Sequence, residues 1–420
     1  MSDTVVRKTP VRWAADLVPE PGDARRFAFL VLVQAGGTGF FLTASAVFFT
    51  QVLGFSATQV ALGLSAAGLC GFLGAVPAGR LADRIGPKRP LLTMYGLLGV
   101  LFALYAFVDD YASFVVVACL ISLCETAGSP LRGALTHALF GGERATRVRA
   151  QTRGLFNLGL AFGAAVAAPA LAVGGRRAFY AVALTNAAAQ LGCVLIGRRF
   201  PPTPPVRPGG GAGSSGAALR DVRFLLVTFS SGVLELYQPV LTVGLPLWIV
   251  TSTSAPTAVN AVLSITNTVL VVLFQVAVSR GADTLPGAAR AQWRAGVLLA
   301  AACPVLALSA YGPAPVATAV LLAGVVVLGF GELSQSAGSW GISFGLPPAD
   351  RMGEYQGVFG LGRGVQQFLG PALVTALAVG LGTAGWLVLA GVFLAAGLAS
   401  KVLVEGAVRL RAVPVEGEAV

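Results

Sequence analysis

The sequence predicts an all-α membrane protein of twelve transmembrane helices in two pseudo-symmetric six-helix bundles. Three observations carry this. First, 55% of the 420 residues are hydrophobic and only 11% are charged, at a mean hydropathy of +0.79, whereas soluble domains carry about 25% charged residues. Second, runs such as FAFLVLVQAGGTGFFLTASAVFFTQVLGF (27–55) exceed the roughly 20 apolar residues that cross a bilayer. Third, RRFPPTPPVRPGGGAGSSGAALRDVR (198–223) divides the apolar runs into two sets and is too poor in large apolar residues to fold alone.

In order, the runs place spans at 27–51, 58–78, 89–108, 112–138, 154–173 and 178–197, then at 224–250, 257–279, 293–311, 314–340, 355–379 and 383–404. They are apolar almost continuously, which argues against barrel strands, where polarity alternates with period two. Turn formers such as TSTSAP (251–256), YGPAP (311–315) and GLGTAG (380–385) separate them. The expected organisation is a tail (1–26), a first bundle (27–197), a linker (198–223), a second bundle (224–404) and a closing tail (405–420). Residues 1–26 hold Arg7, Lys8, Arg12, Arg25 and Arg26 without a short apolar core, so no cleavable signal is expected. The five cysteines lie in apolar runs without metal-ligand spacing, and no disulfide is expected.

Orientation follows from the basic residues. With both termini placed in the cytoplasm, all of the 29 Lys and Arg except Arg132, Arg176, Arg177 and Arg363 fall in the tails or cytoplasmic loops, as the positive-inside rule requires. The net charge of +11 is then explained by topology and anionic lipid headgroups, and nucleic acid is not an expected partner. The expected location is the plasma (inner) membrane.

The halves echo one another. ISLCETAGSP places Glu125 and LGFGELSQSAG places Glu332 at matching points of the fourth and tenth spans. RAQTRGLFNLGLAFG (149–163) and GEYQGVFGLGRGVQQFLGP (353–371) open the fifth and eleventh alike.

Between the second and third spans lies GRLADRIGPKRP (79–90), with the pattern Gly79-x-x-x-Asp83-Arg84-x-Gly86-x-Lys88-Arg89. In this position the pattern resembles the signature loop of the major facilitator superfamily, and a fainter counterpart, SRGADTLPGAAR (279–290), occupies the equivalent loop of the second half. The resemblance implies a carrier in which this loop locks the cytoplasmic ends of the halves together, a role that falls by motif position to Asp83 and Arg84. Physically, Gly79 permits close helix approach, and Asp83 can pair with Arg84 or another loop base or face the positive amino end of a helix of the other half. The fifth span, with Gly159, Gly163 and Ala164, is similar to the glycine motif of drug and proton antiporters, though alanine replaces its proline.

Ionisable groups within spans cost roughly 2.5–3.5 kcal/mol at mid-membrane unless paired or wet, so Glu125, Arg132, Glu235, Glu332 and Arg363 are candidates for a central cavity. Glu125 and Arg132, two turns apart, share a helix face and form either a structural ion pair or a pair in the translocation path. Glu235, with no base within one turn and followed by Tyr237, Gln238 and Pro239, reads as an unpaired acid and the first choice of proton carrier, with Glu125 and Glu332 behind it. Glu332 and Arg363 pair across helices or flank a substrate with Gln335, Gln366 and Gln367. Phe40, Phe41, Tyr237, Trp248 and Trp340 are aromatic candidates for the cavity wall.

No ATP-hydrolysing loop, zinc spacing or catalytic triad is present, so no enzyme, metal or cofactor is expected and a proton gradient is the expected energy source. The expected function is alternating-access transport of a small molecule, foremost proton-coupled efflux of a drug-like or secondary-metabolite compound. Proton-coupled uptake of a sugar or organic acid is the alternative, and a non-transporting receptor or scaffold a remote one. The partners expected are the substrate, protons and the lipid bilayer, with the chain acting as a monomer.

Overall fold

The computed structural model describes residues 19–47, 49, 53–173, 175–205 and 216–412. Arg7, Lys8 and Arg12, the middle of the linker with Arg207, and the last residues, 413–420, lie outside the described residues. Among those described, twelve long helical rods follow one another: α1 (Asp23–Val47), α2 (Ala57–Ile85), α3 (Lys88–Leu104), α4 (Tyr111–Phe140), α5 (Gly142–Val173), α6 (Gly175–Arg198), α7 (Val222–Ser252, in three pieces), α8 (Val259–Val278), α9 (Leu285–Leu308), α10 (Ala314–Gly345), α11 (Met352–Val374) and α12 (Gly382–Ala412). Eight of them contain segments long and apolar enough to cross a membrane. An even number of rods brings both described chain ends to the same side.

Local chemistry sets the helix starts. Ser56 and Gln59 close a capping box at α2, with the Gln59 N–H donating to Ser56 Oγ (3.2 Å) and the Ser56 N–H to Gln59 Oε1 (2.9 Å). Asp221 accepts from the Phe224 N–H (3.0 Å) at α7. Hydropathy trims several helices at one end or the other, because helices continue where apolar residues stop. α5 begins at Gly142 rather than near 154, so Arg149 and Arg153 sit inside a helix and not in a loop.

Each half has its own apolar core. Phe27, Leu91, Tyr95, Phe102, Phe114 and Leu135 are buried together in the first, and Leu234, Trp248, Leu299, Leu321, Trp386 and Phe393 in the second. Trp248 packs edge-on against Trp386 at 5.7 Å and donates Nε1–H to Ser309 Oγ (3.0 Å), which makes it a core residue and not a cavity aromatic. Within the first half, α1 and α5 touch backbone to backbone. A Cβ on Gly163 would collide with the Gly36 carbonyl, and one on Gly159 would come within 2.8 Å of the Leu32 carbonyl. The glycine motif therefore acts in helix packing.

The halves meet at the end that carries the 85–88 turn. A Cβ on Gly79 would collide with the Gly353 carbonyl, and one on Gly353 with the Gly79 carbonyl, so α2 and α11 cross at backbone contact. Asp83 is the cap of α11: its Oδ1 accepts from the Gly353 N–H (2.6 Å) and its Oδ2 from the Glu354 N–H (2.7 Å). A carboxylate of one bundle thus satisfies free amides of the other and faces the positive end of its dipole. The basic partner differs from expectation. Arg84 is exposed and makes no ion pair among the described residues, whereas Arg80, one turn earlier, pairs through Nε with Glu354 Oε1 at 3.1 Å.

The linker also belongs to this end, where both of its described ends are fastened. Gly86, at φ 81°, has no room for a Cβ against the Thr203 carbonyl. The Lys88 N–H donates to Thr203 Oγ1 (3.1 Å), and Lys88 Nζ donates to the carbonyls of Arg198 (3.0 Å) and Phe200. At the other end, the Gly216 N–H donates to Glu354 Oε1 (2.9 Å), beside Arg80, Tyr355 Oη–H donates to Asp221 Oδ2 (3.2 Å), and Ala218 is fully buried against Val76 and Tyr355. Arg89 is exposed.

Removing the cap should loosen this end without unfolding either bundle. Asp83→Ala deletes two hydrogen bonds to a charged acceptor, worth about 1.5–3 kcal/mol each. Pulsed electron-resonance distances between labels at positions 84 and 350 are expected to gain a longer population in that variant. A distribution identical to that of the wild type would show that the cap does not hold the halves.

Candidate functional site

A cavity of about 270 Å³ lies deep between the bundles and is lined by residues of both. Four arginines face it: Arg132 on α4, Arg149 and Arg153 on α5, and Arg363 on α11. Gln34, Ser129, Thr152, Glu235, Tyr237, Gln238, Trp340 and Gln367 complete most of its polar wall. A second cavity of about 610 Å³ shares Arg153, Tyr237 and Gln238 with the first. It continues away from the 85–88 turn, toward the start of α8.

Glu235 stands at a break in α7. Pro239 has no N–H to offer the Glu235 carbonyl four residues back, so the regular helix ends at Leu234. The chain turns through Tyr237–Pro239, passes a π-helical stretch over Val240–Gly244, and resumes at Leu245. The break aims a buried carboxylate at α11. There Arg363 donates Nε–H to Oε2 (3.0 Å) and Nη2–H to Oε1 (3.2 Å), a two-pronged pair of the strong kind. This corrects the expectation of an unpaired acid: its base is distant in sequence but adjacent in space.

Glu332 does not pair with Arg363. Its Oε1 accepts from Arg153 Nη2 (3.2 Å), and its Oε2 from Asn267 Nδ2 (2.9 Å). Since Arg153 belongs to the first bundle and Glu332 to the second, this ion pair crosses the seam. Arg132 and Arg149 have no acidic partner within ion-pair distance among the described residues. Arg149 lies 6.0 Å from the Phe344 ring centre, and its buried Nε has no hydrogen-bond partner.

Other expected residues distribute as follows. Glu125, Ser129 and Arg132 lie at i, i+4 and i+7 on one face of α4, but Glu125 is exposed, lines neither cavity, and forms no ion pair among the described residues. Gln335 does not reach the cavities either. It donates Nε2–H to Ser339 Oγ (2.8 Å) and to the Ser231 carbonyl (3.4 Å), inside a buried knot of Ser231, Ser339 and Gln292 that ties α7, α9 and α10 together. Gln366 is buried beside Gly370, and its neighbour Gln367 takes the expected place in the wall. Of the aromatics, Tyr237 and Trp340 line the cavity, whereas Phe40 and Phe41 pack within the first bundle. Among the described residues, no group of three or more His, Cys, Asp or Glu side chains is placed to hold a metal ion.

Arg149 and Arg153 are the residues sequence reasoning missed. Their charge assigned them to a loop, yet their spacing of four puts both on one helical face, directly ahead of the small-residue run that α5 packs against α1. That spacing is the signal that could have found them.

The sequence matches the model of the Major Facilitator Superfamily over residues 27–371. No curated protein matches it. Among solved structures, it is similar to a bacterial homologue of the iron transporter ferroportin in its outward-facing state, with a TM-score of 0.73, 15% identity, and 92% of this chain and 99% of that chain covered. It is similar also to the human organic anion transporter MFSD10 (TETRAN), with a TM-score of 0.64, 16% identity, and coverage of 90% and 100%. FucP, a transporter of the same superfamily in its outward conformation, gives a TM-score of 0.69 at 14% identity, with coverage of 90% and 98%. At these identities the likeness is one of fold, and the family match over most of the sequence carries the assignment. The chain therefore belongs to the Major Facilitator Superfamily and is a secondary transporter rather than an enzyme.

Proposed function

We propose that this transporter carries a small organic anion, coupled to protons, across the plasma (inner) membrane as a monomer with both termini in the cytoplasm. One observation carries the reading: the two joined cavities hold four arginines against two glutamates. Both glutamates already have arginine partners, so among the described residues Arg132 and Arg149 are left over. An unpaired guanidinium in a low-dielectric site is costly, and a bound carboxylate or phosphate, matched to the planar donor fork, is the counter-charge that relieves it. An apolar drug-like compound leaves that cost in place, so the geometry favours the organic-acid alternative. One of the similar folds is an organic anion transporter, in agreement with this reading.

Coupling follows from Arg153. Its pair with Glu332 spans the seam, and a substrate anion competes with Glu332 for the same guanidinium. A proton on Glu332 removes its charge and hands Arg153 to the substrate, so proton and anion binding favour one another and shift the balance between the two states. Glu332 thereby replaces Glu235 as the first proton site, Glu125 lies apart from both cavities, and Glu235 with Arg363 forms a standing ion pair. Uptake by this cycle is symport; export requires the proton to be exchanged for the anion.

In proteoliposomes with an internal pH dye, organic acids are expected to drive proton movement, whereas apolar amines and neutral compounds are not. A response confined to amines or neutral compounds would overturn the reading. Arg132→Gln should raise KM for the transported acid by roughly tenfold or more, in line with about 1.5–3 kcal/mol for a charged hydrogen bond, with the protein still folded. Arg363→Met strands Glu235, whose side chain is 8% exposed while that of Arg363 is 48% exposed. The expected cost is about 1–3 kcal/mol, below the range for fully buried pairs because solvent reaches the arginine. Thermal unfolding in detergent should show this loss, largely recovered in Glu235→Gln/Arg363→Met.

A further inference from the structure

We infer that the transported anion is a hydroxylated acid of the sugar-acid type, with its charged group on the arginines and a chain of hydroxyl groups in the larger cavity. The inference rests on the anion reading above and adds what the rest of the molecule must look like. It comes from the change in wall chemistry between the two cavities.

Beyond Arg153, the larger cavity presents no further base, and its only acid, Glu332, is engaged by Arg153 and Asn267. Hydroxyls and amides take over. Asn260, Ser264, Asn267 and Thr268 on α8 fall at i, i+4, i+7 and i+8, a single helical face, and all four line the cavity with Thr242 of α7. Their donors are largely spent within the protein. Ser264 Oγ–H bonds to the Asn260 carbonyl (3.0 Å), Thr268 Oγ1–H to the Ser264 carbonyl (2.9 Å) and Thr242 Oγ1–H to the Gln238 carbonyl (3.0 Å). Asn267 gives Nδ2–H to Glu332 (2.9 Å), and its buried Oδ1 has no partner among the described residues.

A hydroxyl that has donated its only hydrogen offers the cavity lone pairs alone. This wall therefore has a surplus of acceptors. A second carboxylate or phosphate would find only the amides of Asn157, Gln238 and Asn260 as donors among those lone pairs, and an alkyl tail would leave the lone pairs unsatisfied. A row of ligand hydroxyls fits, since each can donate to the wall and accept from Asn157, Gln238 or Asn260. The joined cavities, at about 270 and 610 Å³, suit a molecule of that kind, given the roughly 300–1,000 Å³ of small-molecule sites.

The test uses the full chain in proteoliposomes with three probes: gluconate, hexanoate and sorbitol. Gluconate is expected to drive transport with a KM at least tenfold below that of hexanoate, and sorbitol to drive none. Hexanoate equal to or better than gluconate would overturn this inference while leaving the anion reading intact. Transport of sorbitol with neither acid would overturn both. In the Ser264→Ala/Thr268→Val variant the KM for gluconate should rise at least fivefold and that for hexanoate stay the same. Thr266→Val, on α8 but outside the cavity wall, should change neither. An unchanged gluconate KM in the double variant would also sink the proposal.

Discussion

Every charge placed inside an apolar protein must be met by an opposite charge, by hydrogen bonds or by water, and this constraint organises the structure. The chain carries four guanidinium groups at its centre. Two are neutralised by buried carboxylates: Glu235 holds Arg363, and Glu332 holds Arg153. Two have no carboxylate partner among the described residues, and a seam that water and solute can enter tolerates them. The architecture supplies that seam between two bundles that each keep an apolar core and that are joined by smaller apolar clusters, Val76 with Tyr355 and Ala145 with Phe344.

The seam is built differently along its length. At the 85–88 turn it is closed by backbone contact at Gly79 and Gly353, by the Asp83 cap of α11, by Arg80 on Glu354, and by the linker ends that fasten onto the same residues. At mid-depth, among the described residues, one ion pair bridges it, Arg153 with Glu332. Farther along it opens into the cavity lined by α5, α7 and α8. Tightness thus declines from one end to the other, as a carrier needs if it is to expose its centre to one side at a time.

Much of this was legible in the sequence, and the failures share a cause. The helical fold, the close packing expected of the Gly159–Gly163 run and the docking of Asp83 on a helix terminus of the other bundle follow from local pattern and position. Pairings between distant residues do not. Glu235 read as unpaired because its base lies on another helix, far along the chain, and Arg84 was preferred to Arg80 because a motif gives order but not the direction a helix faces at its last turn. Arg149 and Arg153 were missed because hydropathy ends a span where charge begins, although the hydrogen-bonded helix does not. Gln335 and Gln366 show the same limit: an amide in an apolar run can serve a buried knot as readily as a cavity.

The two corners of the seam are unequal. The loop over 279–290 in the second half keeps a glycine and Asp283, yet among the described residues Asp283 makes no hydrogen bond to the first bundle. The corner between α5 and α10 carries the Arg153–Glu332 pair, whose groups line the cavities, beside the packing of Ala145 on Phe344, whereas none of the residues that fasten α2 to α11 lines either cavity. A bound solute thus alters the charge balance of the α5–α10 contact and leaves the groups that fasten α2 to α11 outside its reach.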